Sequence, residues 1–334
     1  MFRYLITMPM GFIIEQIYNL VANYGIAIII FTFIIKMILI PLNVKSQKAM
    51  KKQQKIQPVI AELQQKYAND QEKLQREMMK IYKENNISMT GGCLPMLIQF
   101  PILIGLYQVI QKPLTYLLHV NWGDLEDMAN PLVTEVLRLR DGMINLGYNL
   151  GNYAQANANM IVKSAQIQLS KWAETIGASG SALEGVTGGT HPWIINFNFF
   201  GMDLSNAPSA AFSRIMALDF SQWSIIALLT IPLLAVTATV VSQKLMQAQS
   251  GQNNKSSDNN QAAQMAKSMN FMMPVMTGFF TLTLPAGIGL YWIISSVVQI
   301  LQQLALNYYF EKKGEDVVVT IPEKKQIHGK KRKK

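Results

Sequence analysis

The sequence is poor in ionisable residues. Only 15% of its 334 residues are charged, it has a single cysteine, Cys93, and three histidines, and it holds 20 acidic residues against 30 basic ones. A single cysteine cannot form an intramolecular disulfide, and no histidine or cysteine stands at metal-ligand spacing. The longest polar loop has no Ser/His/Asp arrangement typical of a hydrolase. We therefore expect no cofactor, no metal and no enzyme activity.

Long apolar blocks dominate the chain instead. Half of the residues are hydrophobic and twenty are methionine, a composition typical of a membrane protein. A helix needs roughly 20 mostly apolar residues to cross a bilayer. We predict an all-α membrane protein with five transmembrane helices, at residues 24–43, 91–118, 222–243, 269–284 and 286–306.

The first 23 residues predict an amphipathic helix lying on the outer membrane surface. One side of this helix is apolar and consists of Phe12, Ile13, Ile17, Leu20 and Val21. A signal-like segment is the alternative, but a basic n-region and a small-residue cleavage site are both missing.

Residues 44–90 predict a cytoplasmic helical hairpin with ten basic and five acidic side chains. Asn69-Asp70, followed by Glu72, indicates a turn and the start of a second helix. One apolar stripe follows helical spacing on each arm, and its residues are Ile56, Val59, Ile60, Leu63 and Tyr67, then Leu74, Met78, Ile81 and Tyr82. A solvated basic coiled coil without a task is the alternative interpretation.

Three further polar segments complete the predicted organisation: an extracytoplasmic loop at 119–221, a cytoplasmic loop at 244–268 and a basic cytoplasmic tail at 307–334. Within the outer loop, Asn145–Gly189 is rich in Asn, Gly, Ala and Ser. That composition predicts loosely ordered structure with a helix around Met160–Ile176. Twenty-two basic residues on one side of the membrane against six on the other predict an N-terminus outside and a C-terminus in the cytoplasm.

Lys36 lies inside the first apolar run, about 10 Å from its end by helical rise. A charge at such a depth usually marks a polar cavity or a partner, although a lysine amine can also extend to the interface. Thr32 and Asn43 share a helix face with Lys36 by spacing. Other membrane helices supply polar side chains at a similar depth, namely Gln99, Gln243, Ser295 and Gln299. Together these residues predict a hydrated, cationic recess open to the cytoplasm.

Such a recess would attract an acidic or polar peptide segment and shield it from lipid without any bond chemistry. A large anionic partner fits the basic regions, by phosphate contacts to ribosomal RNA or to anionic lipid headgroups. The residues that we expect to make these contacts are Lys51, Lys52 and Lys55 in the hairpin and Lys330, Lys331, Arg332, Lys333 and Lys334 in the tail. A basic tail that acts only as a topology signal is the alternative.

Four strings in the order of the chain resemble the YidC/Oxa/Albino family of membrane protein insertases, in its Gram-positive-type form. They are NYGIAIIIFTFIIKMILIPLNVKSQ, GGCLPMLIQFPILIGLYQ, NFNFFGMDLS and LPAGIGLYW. The resemblance implies five core helices around a hydrophilic groove that is closed to the outside and open to cytoplasm and lipid. It also implies that Lys36 stands where the family usually has an arginine that attracts acidic substrate segments. Thr32, Trp292 and Gln243 are similar to substrate-contacting positions.

The same resemblance implies nascent membrane proteins as substrates, cooperation with the Sec translocon, action as a monomer and a place in the bacterial cytoplasmic membrane. The sequence departs from the family pattern in two places. Lysine at position 36 lacks the bidentate fork of arginine, and the insertion at 119–191 is longer than the usual connection. A small-solute transporter or channel with Lys36 as an anion-binding residue is the alternative function. Broken-helix inverted repeats would favour it, and the sequence shows none.

Overall fold

A computed structural model describes residues 3–87, 94–118, 120–121, 123, 130–176, 193–218, 221, 223–249 and 261–313. These residues are mostly helical, and the only strands among them form one short hairpin. The helices are α1 Met8–Val21, α2 Tyr24–Ile38, α3 Ile40–Lys66, α4 Gln71–Glu84, α5 Leu94–Gln111, α6 Pro113–Tyr116, α7 Pro131–Asn145, α8 Ala158–Ser164, α9 Gln166–Ile176, α10 Ala210–Met216, α11 Trp223–Ala227, α12 Thr230–Gln249, α13 Gln261–Thr283 and α14 Ala286–Lys313. The strands β1 Asn198–Phe199 and β2 Met202–Asp203 pair antiparallel.

Among the described residues, two stretches are long and apolar enough to cross a membrane, Trp223–Met246 and Ala286–Phe310. A third candidate is the pair Tyr24–Ile38 and Ile40–Gln53, which is bent by 57°. Phe271–Thr283 is apolar but shorter. The structure therefore supports a helical membrane protein with two or three candidate spans, and the five predicted spans remain a prediction.

The chain divides into two compact units, and the boundaries fall inside the long helices. The first, here the loop unit, comprises Met1–Thr32, Phe100–Leu233 and Phe279–Trp292. The second, here the hairpin unit, comprises Phe33–Gln99, Leu234–Gly278 and Ile293–Lys334. Each unit is described by itself.

In the loop unit, α1 packs closely against neighbouring helices through glycine. A Cβ at Gly11 would lie 2.7 Å from the backbone oxygen of Tyr116, and one at Gly105 would lie 2.8 Å from the Met10 sulfur. The buried side of α1 therefore contains Met10, Gly11, Ile14 and Ile17. Phe12 and Leu20 of the predicted apolar side are exposed, so both sides of α1 carry apolar residues.

Helices α7, α8 and α9 of the loop unit pack on one another. Their contact residues are buried and include Leu139, Ile161, Leu169 and Trp172. Residues 146–157 form turns and the short 3-10 helix Gly151–Tyr153, whereas the apolar side chains of 158–176 close against α7. The predicted helix at Met160–Ile176 is present as α8 and α9, with a break at Ala165. Residues 177–189 lie outside the described residues.

In the hairpin unit, α3 and α4 form the predicted pair of amphipathic arms. Asp70 caps α4 by accepting a hydrogen bond from the Lys73 backbone N–H at 3.0 Å, which satisfies one of the donors left free at a helix start. All nine predicted stripe residues lie in or against a single core cluster, which also includes Ile87. The helical periodicity of the stripes therefore predicts which side chains form the core between α3 and α4.

Candidate functional site

Lys36 lies near the end of α2, whose other residues are almost all apolar. The side chain is only 6% exposed, and among the described residues its ammonium has no ion-pair partner. A buried ammonium costs several kcal/mol unless polar groups compensate it. A buried charge without an ion-pair partner among the described residues makes Lys36 a candidate functional residue.

The chain bends immediately after Lys36. Pro41 has no backbone N–H, so the Met37 carbonyl loses its partner in the helix and the helix is interrupted at Leu39. The Asn43 backbone N–H then bonds to the Leu39 carbonyl at 2.9 Å as α3 begins. The bend places Asn43 on α3, whereas Thr32 and Lys36 lie one turn apart on α2.

Gln302 of α14 holds this bend from both sides. Its side-chain N–H group donates to the Lys36 carbonyl at 2.9 Å, and its carbonyl oxygen accepts from the Asn43 side chain at 3.0 Å. Gln302 belongs to the polar stripe of the last helix, but its spacing alone does not reveal that it bridges the bend. The backbone that carries Lys36 is thus fixed by an amide of the last helix.

Two predicted amides pair with methionine sulfur rather than with oxygen. Gln243 of α12 donates to the Met273 sulfur of α13 at 3.1 Å, and Gln299 of α14 donates to the Met246 sulfur of α12 at 3.8 Å. A thioether is a weak acceptor, so a peptide carbonyl or a carboxylate can replace it with a gain in hydrogen bonding. Nothing in the sequence separates Met246 and Met273 from the other methionines.

These contacts form a continuous series within the hairpin unit, which we call the amide row. Gln302 contacts the Lys36 backbone, Gln299 lies one helical turn before Gln302, and Gln299 reaches Met246. Met246 lies one turn after Gln243, which reaches Met273. The row thus connects α2, α14, α12 and α13. Gln99 is half-buried and Ser295 is buried in the same unit.

Thr32 and Trp292 lie in the loop unit. The Thr32 side chain is buried, and its hydroxyl donates to the Ile28 carbonyl at 2.6 Å, the usual local bond of a threonine in a membrane helix. The Trp292 ring is stacked on Phe280 with 6.5 Å between ring centroids. Thr32 is on α2 with Lys36, and Trp292 is on α14 with Gln299 and Gln302.

The hairpin lysines differ in their surroundings. The Lys51 ammonium lies 4.4 Å and the Lys48 ammonium 5.5 Å from the centroid of the buried Phe310 ring, so Lys51 already has a cation–π contact. Lys52 is half-buried and Lys55 is exposed. Lys330, Lys331, Arg332, Lys333 and Lys334 lie outside the described residues. In the described ranges no three His, Cys, Asp or Glu side chains could hold a metal ion.

Comparison with known proteins identifies the family of this chain. The family model described as "60Kd inner membrane protein" matches residues 16–173 and 191–313, most of the chain. Among the similar curated proteins, "Membrane protein insertase YidC" of Clostridium perfringens is 47% identical over 128 residues, which are 38% of this chain and 53% of that protein. The protein of the same name from Clostridium tetani is 47% identical over 120 residues, 36% of this chain and 54% of that protein.

A third relative, "Membrane protein insertase YidC" of Nitratidesulfovibrio vulgaris, is 38% identical over 130 residues, 37% of this chain and 24% of that protein. The chain thus spans about half the length of the two clostridial relatives and about a quarter of the third. Together with the apolar helices, these matches support a multi-pass protein of the bacterial inner membrane. The resemblance to the YidC/Oxa/Albino family is confirmed, and the chain belongs to the 60Kd inner membrane protein family.

Proposed function

We propose that this chain is a membrane protein insertase. It accepts hydrophilic segments of nascent membrane proteins in a cationic groove open to the cytoplasm and releases their helices into the bilayer. The observation that carries the proposal is Lys36, an ammonium buried in an apolar helix of a chain whose family is shown. Charged groups in such helices mark pathways for polar substrates.

The proposed mechanism lowers the cost of moving a hydrophilic segment part of the way across the membrane. Lys36 attracts a carboxylate of the client, because opposite charges interact strongly where the dielectric constant is low. Gln243 and Gln299 exchange their methionine contacts for client backbone carbonyls, while Ser295 and Gln99 extend the polar surface. The client's apolar helix meanwhile enters the lipid. No covalent bond forms or breaks, so we expect no catalytic residue.

The proposed topology has five transmembrane helices, an N-terminus outside and a cytoplasmic C-terminus, with α1 on the outer surface and the α3–α4 hairpin in the cytoplasm. Its support is the two or three candidate spans and the bias of basic residues. In this topology Thr32 and Trp292 contact the client further from the cytoplasm than Lys36 does. The groove is closed on the outer side.

The proposed partners are nascent membrane proteins, the Sec translocon for larger clients, the ribosome and anionic lipids, and the chain acts as a monomer. The basic hairpin supports contact with ribosomal RNA or lipid phosphates. Lys55 is the best placed of the three predicted hairpin lysines, because it is exposed whereas Lys51 lies over Phe310.

Photo-crosslinking to a stalled nascent membrane protein tests the proposal. A crosslinker replaces Thr32 on α2 or Trp292 on α14, and the matched controls are the exposed residues Phe33 and Val297 of the same two helices. We expect peptide adducts from Thr32 and Trp292 that exceed those from the control positions. Absence of peptide adducts from all four positions would contradict insertion and leave the anion transporter, which no present observation favours.

A further inference from the structure

One short segment of the loop unit contacts the first residues of the candidate spans. This rim segment comprises residues 196–206. The Asn196 carbonyl accepts from the backbone N–H of Tyr24 at 3.0 Å, and the Asn206 carbonyl accepts from that of Ala286 at 2.9 Å. Tyr24 and Ala286 are the first residues of two candidate spans.

The third candidate span begins in the same place. Its first residue is Trp223, in α11, and α11 packs against strand β2 of the rim segment. The three candidate spans therefore begin around one segment. Because each span starts at a membrane surface, the rim segment lies at the level of that surface.

The rim segment carries an exposed aromatic ring on a strained turn. Strands β1 and β2 are joined by Phe200 and Gly201, with φ angles of 50° and 78°. Left-handed backbone at both positions defines a hairpin turn that favours Asn, Asp or Gly. Position 200 is nevertheless occupied by a phenylalanine, and this residue is 87% exposed. The Phe200 ring lies edge to face on the Phe199 ring with 4.7 Å between centroids, yet most of it remains exposed. Strain of this kind often accompanies function.

Neighbouring elements add further exposed apolar residues. Trp223 is 71% exposed, and on α10, which packs against α11, Phe212 is exposed and Met216 is 85% exposed. In the β1–β2 hairpin, the Asp203 carboxylate forms an ion pair with the Lys171 ammonium at 2.6 Å, so its charge is compensated. Trp collects at the level of the lipid headgroups because its ring is amphipathic, and Phe is common among the residues that insert at the boundary between headgroups and acyl chains.

We infer that the Phe200–Gly201 turn is a membrane wedge whose aromatic ring inserts among the phospholipids of the leaflet where the spans begin. Trp223 and Met216 border it in that leaflet. The occupant of this surface is lipid rather than another protein, because Trp223 is itself the first residue of a span and the surface is therefore continuous with the bilayer. The wedge anchors the rim segment, and with it the beginnings of three spans.

Spin-label accessibility in the full chain tests this inference. Cys93→Ser removes the one native cysteine, and a nitroxide is attached in separate chains at Phe200→Cys and at the exposed loop residue Gln155→Cys. In vesicles of phosphatidylcholine and phosphatidylglycerol, we expect the label at position 200 to relax mainly by contact with oxygen, which concentrates in lipid. The label at position 155 should relax mainly by contact with a water-soluble nickel complex. Equal access to nickel at both positions overturns the wedge, as does a label at 200 shielded from both reagents, which indicates covering by protein.

A second pair of variants separates anchoring from folding. Asn suits a left-handed turn better than Phe, so Phe200→Asn keeps the turn while removing the wedge, and Phe200→Trp keeps both. With the nitroxide moved to Phe212→Cys, we expect severalfold higher nickel accessibility in the Phe200→Asn chain and no change in the Phe200→Trp chain. An unchanged label in Phe200→Asn overturns the inference.

Discussion

Removing the charge of Lys36 should impair insertion without harming the fold. Lys36→Met keeps a flexible apolar chain and deletes only the ammonium, and Lys36→Arg keeps the charge. Lys36 is buried without an ion-pair partner among the described residues, and replacing a buried charge by an apolar residue is often neutral or stabilising. We therefore expect the melting temperature of Lys36→Met in detergent to stay the same or rise.

The size of the activity loss follows from the attraction between the ammonium and a client carboxylate. At 4 Å and an effective dielectric constant of about 20, this attraction is about 4 kcal/mol. Desolvation of the client's carboxylate offsets part of it, and a hydrogen bond to a charged group contributes about 1.5–3 kcal/mol net. Insertion of an acidic-tailed client should therefore slow about tenfold to hundredfold in Lys36→Met, and should be largely retained in Lys36→Arg.

The assay is insertion of a short single-span client into proteoliposomes, with protease protection of its translocated tail as the readout. Two tails are compared, one with acidic residues and one with neutral polar residues. The control variant is Lys244→Met, since Lys244 is an exposed lysine of α12 next to Gln243. Normal insertion of the acidic-tailed client by Lys36→Met would refute the reasoning. An equal loss of insertion for both tails would show that attraction between the Lys36 ammonium and acidic client residues does not cause the loss.

Three further predictions concern stability. Gln302→Leu removes both hydrogen bonds across the bend after Lys36 and should lower the free energy of unfolding by about 1–3 kcal/mol, measured by thermal unfolding in detergent. Burial alone would raise the pKa of Asp203, but its bonds from Lys171 and Ser205 lower it below the ordinary value. The carboxylate's stabilisation is therefore present above about pH 4 and is lost as the pH falls through the folded-state pKa. It should become smaller in Lys171→Met, which keeps the bonds from Ser205, as unfolding at several pH values will show. Leu63→Ala in the hairpin core should cost about 2–5 kcal/mol and speed proteolysis of α4.

Matched variants serve as controls for these three. Leu301→Ala alters an exposed side chain of α14 and should cost less than Gln302→Leu. Lys163→Met changes an exposed lysine of α8 and should leave the pH dependence as it is. Met79→Ala alters an exposed side chain of α4 and should have an effect within about 0.5 kcal/mol. If a variant and its control change stability, or its pH dependence, equally, the contact removed by that variant does not make the predicted contribution.

Periodicity predicts part of this structure well. The stripe from Ile56 to Tyr82 gives the hairpin core, because a helix buries every third or fourth residue whatever the rest of the chain does. The lysine at position 36 is visible because a charge in an apolar run breaks the pattern. The helix expected around Met160–Ile176 is also present, although its composition does not reveal the break at Ala165 or the packing of the two halves.

Contacts between distant parts of the chain are not visible in the sequence. The bend after Lys36 can be suspected from Pro41, but its partner Gln302 lies 266 residues away. The methionine partners of Gln243 and Gln299 are not distinguished by any local pattern, and neither is the position of Phe310 beneath Lys51. Such pairings depend on how the helices pack, which spacing within one helix does not determine.

The rim segment also has a consequence for the order of synthesis. Asn23, just before the first span, bonds to Asn198, which leaves the ribosome 175 residues later. This hydrogen bond of the first candidate span therefore forms only after residues up to 198 have been translated. For the last candidate span the order is reversed, because Asn206 is translated before Ala286, whose backbone N–H bonds to it. A truncation before residue 196 therefore removes the hydrogen-bond partners of Asn23 and Tyr24 at the beginning of this span.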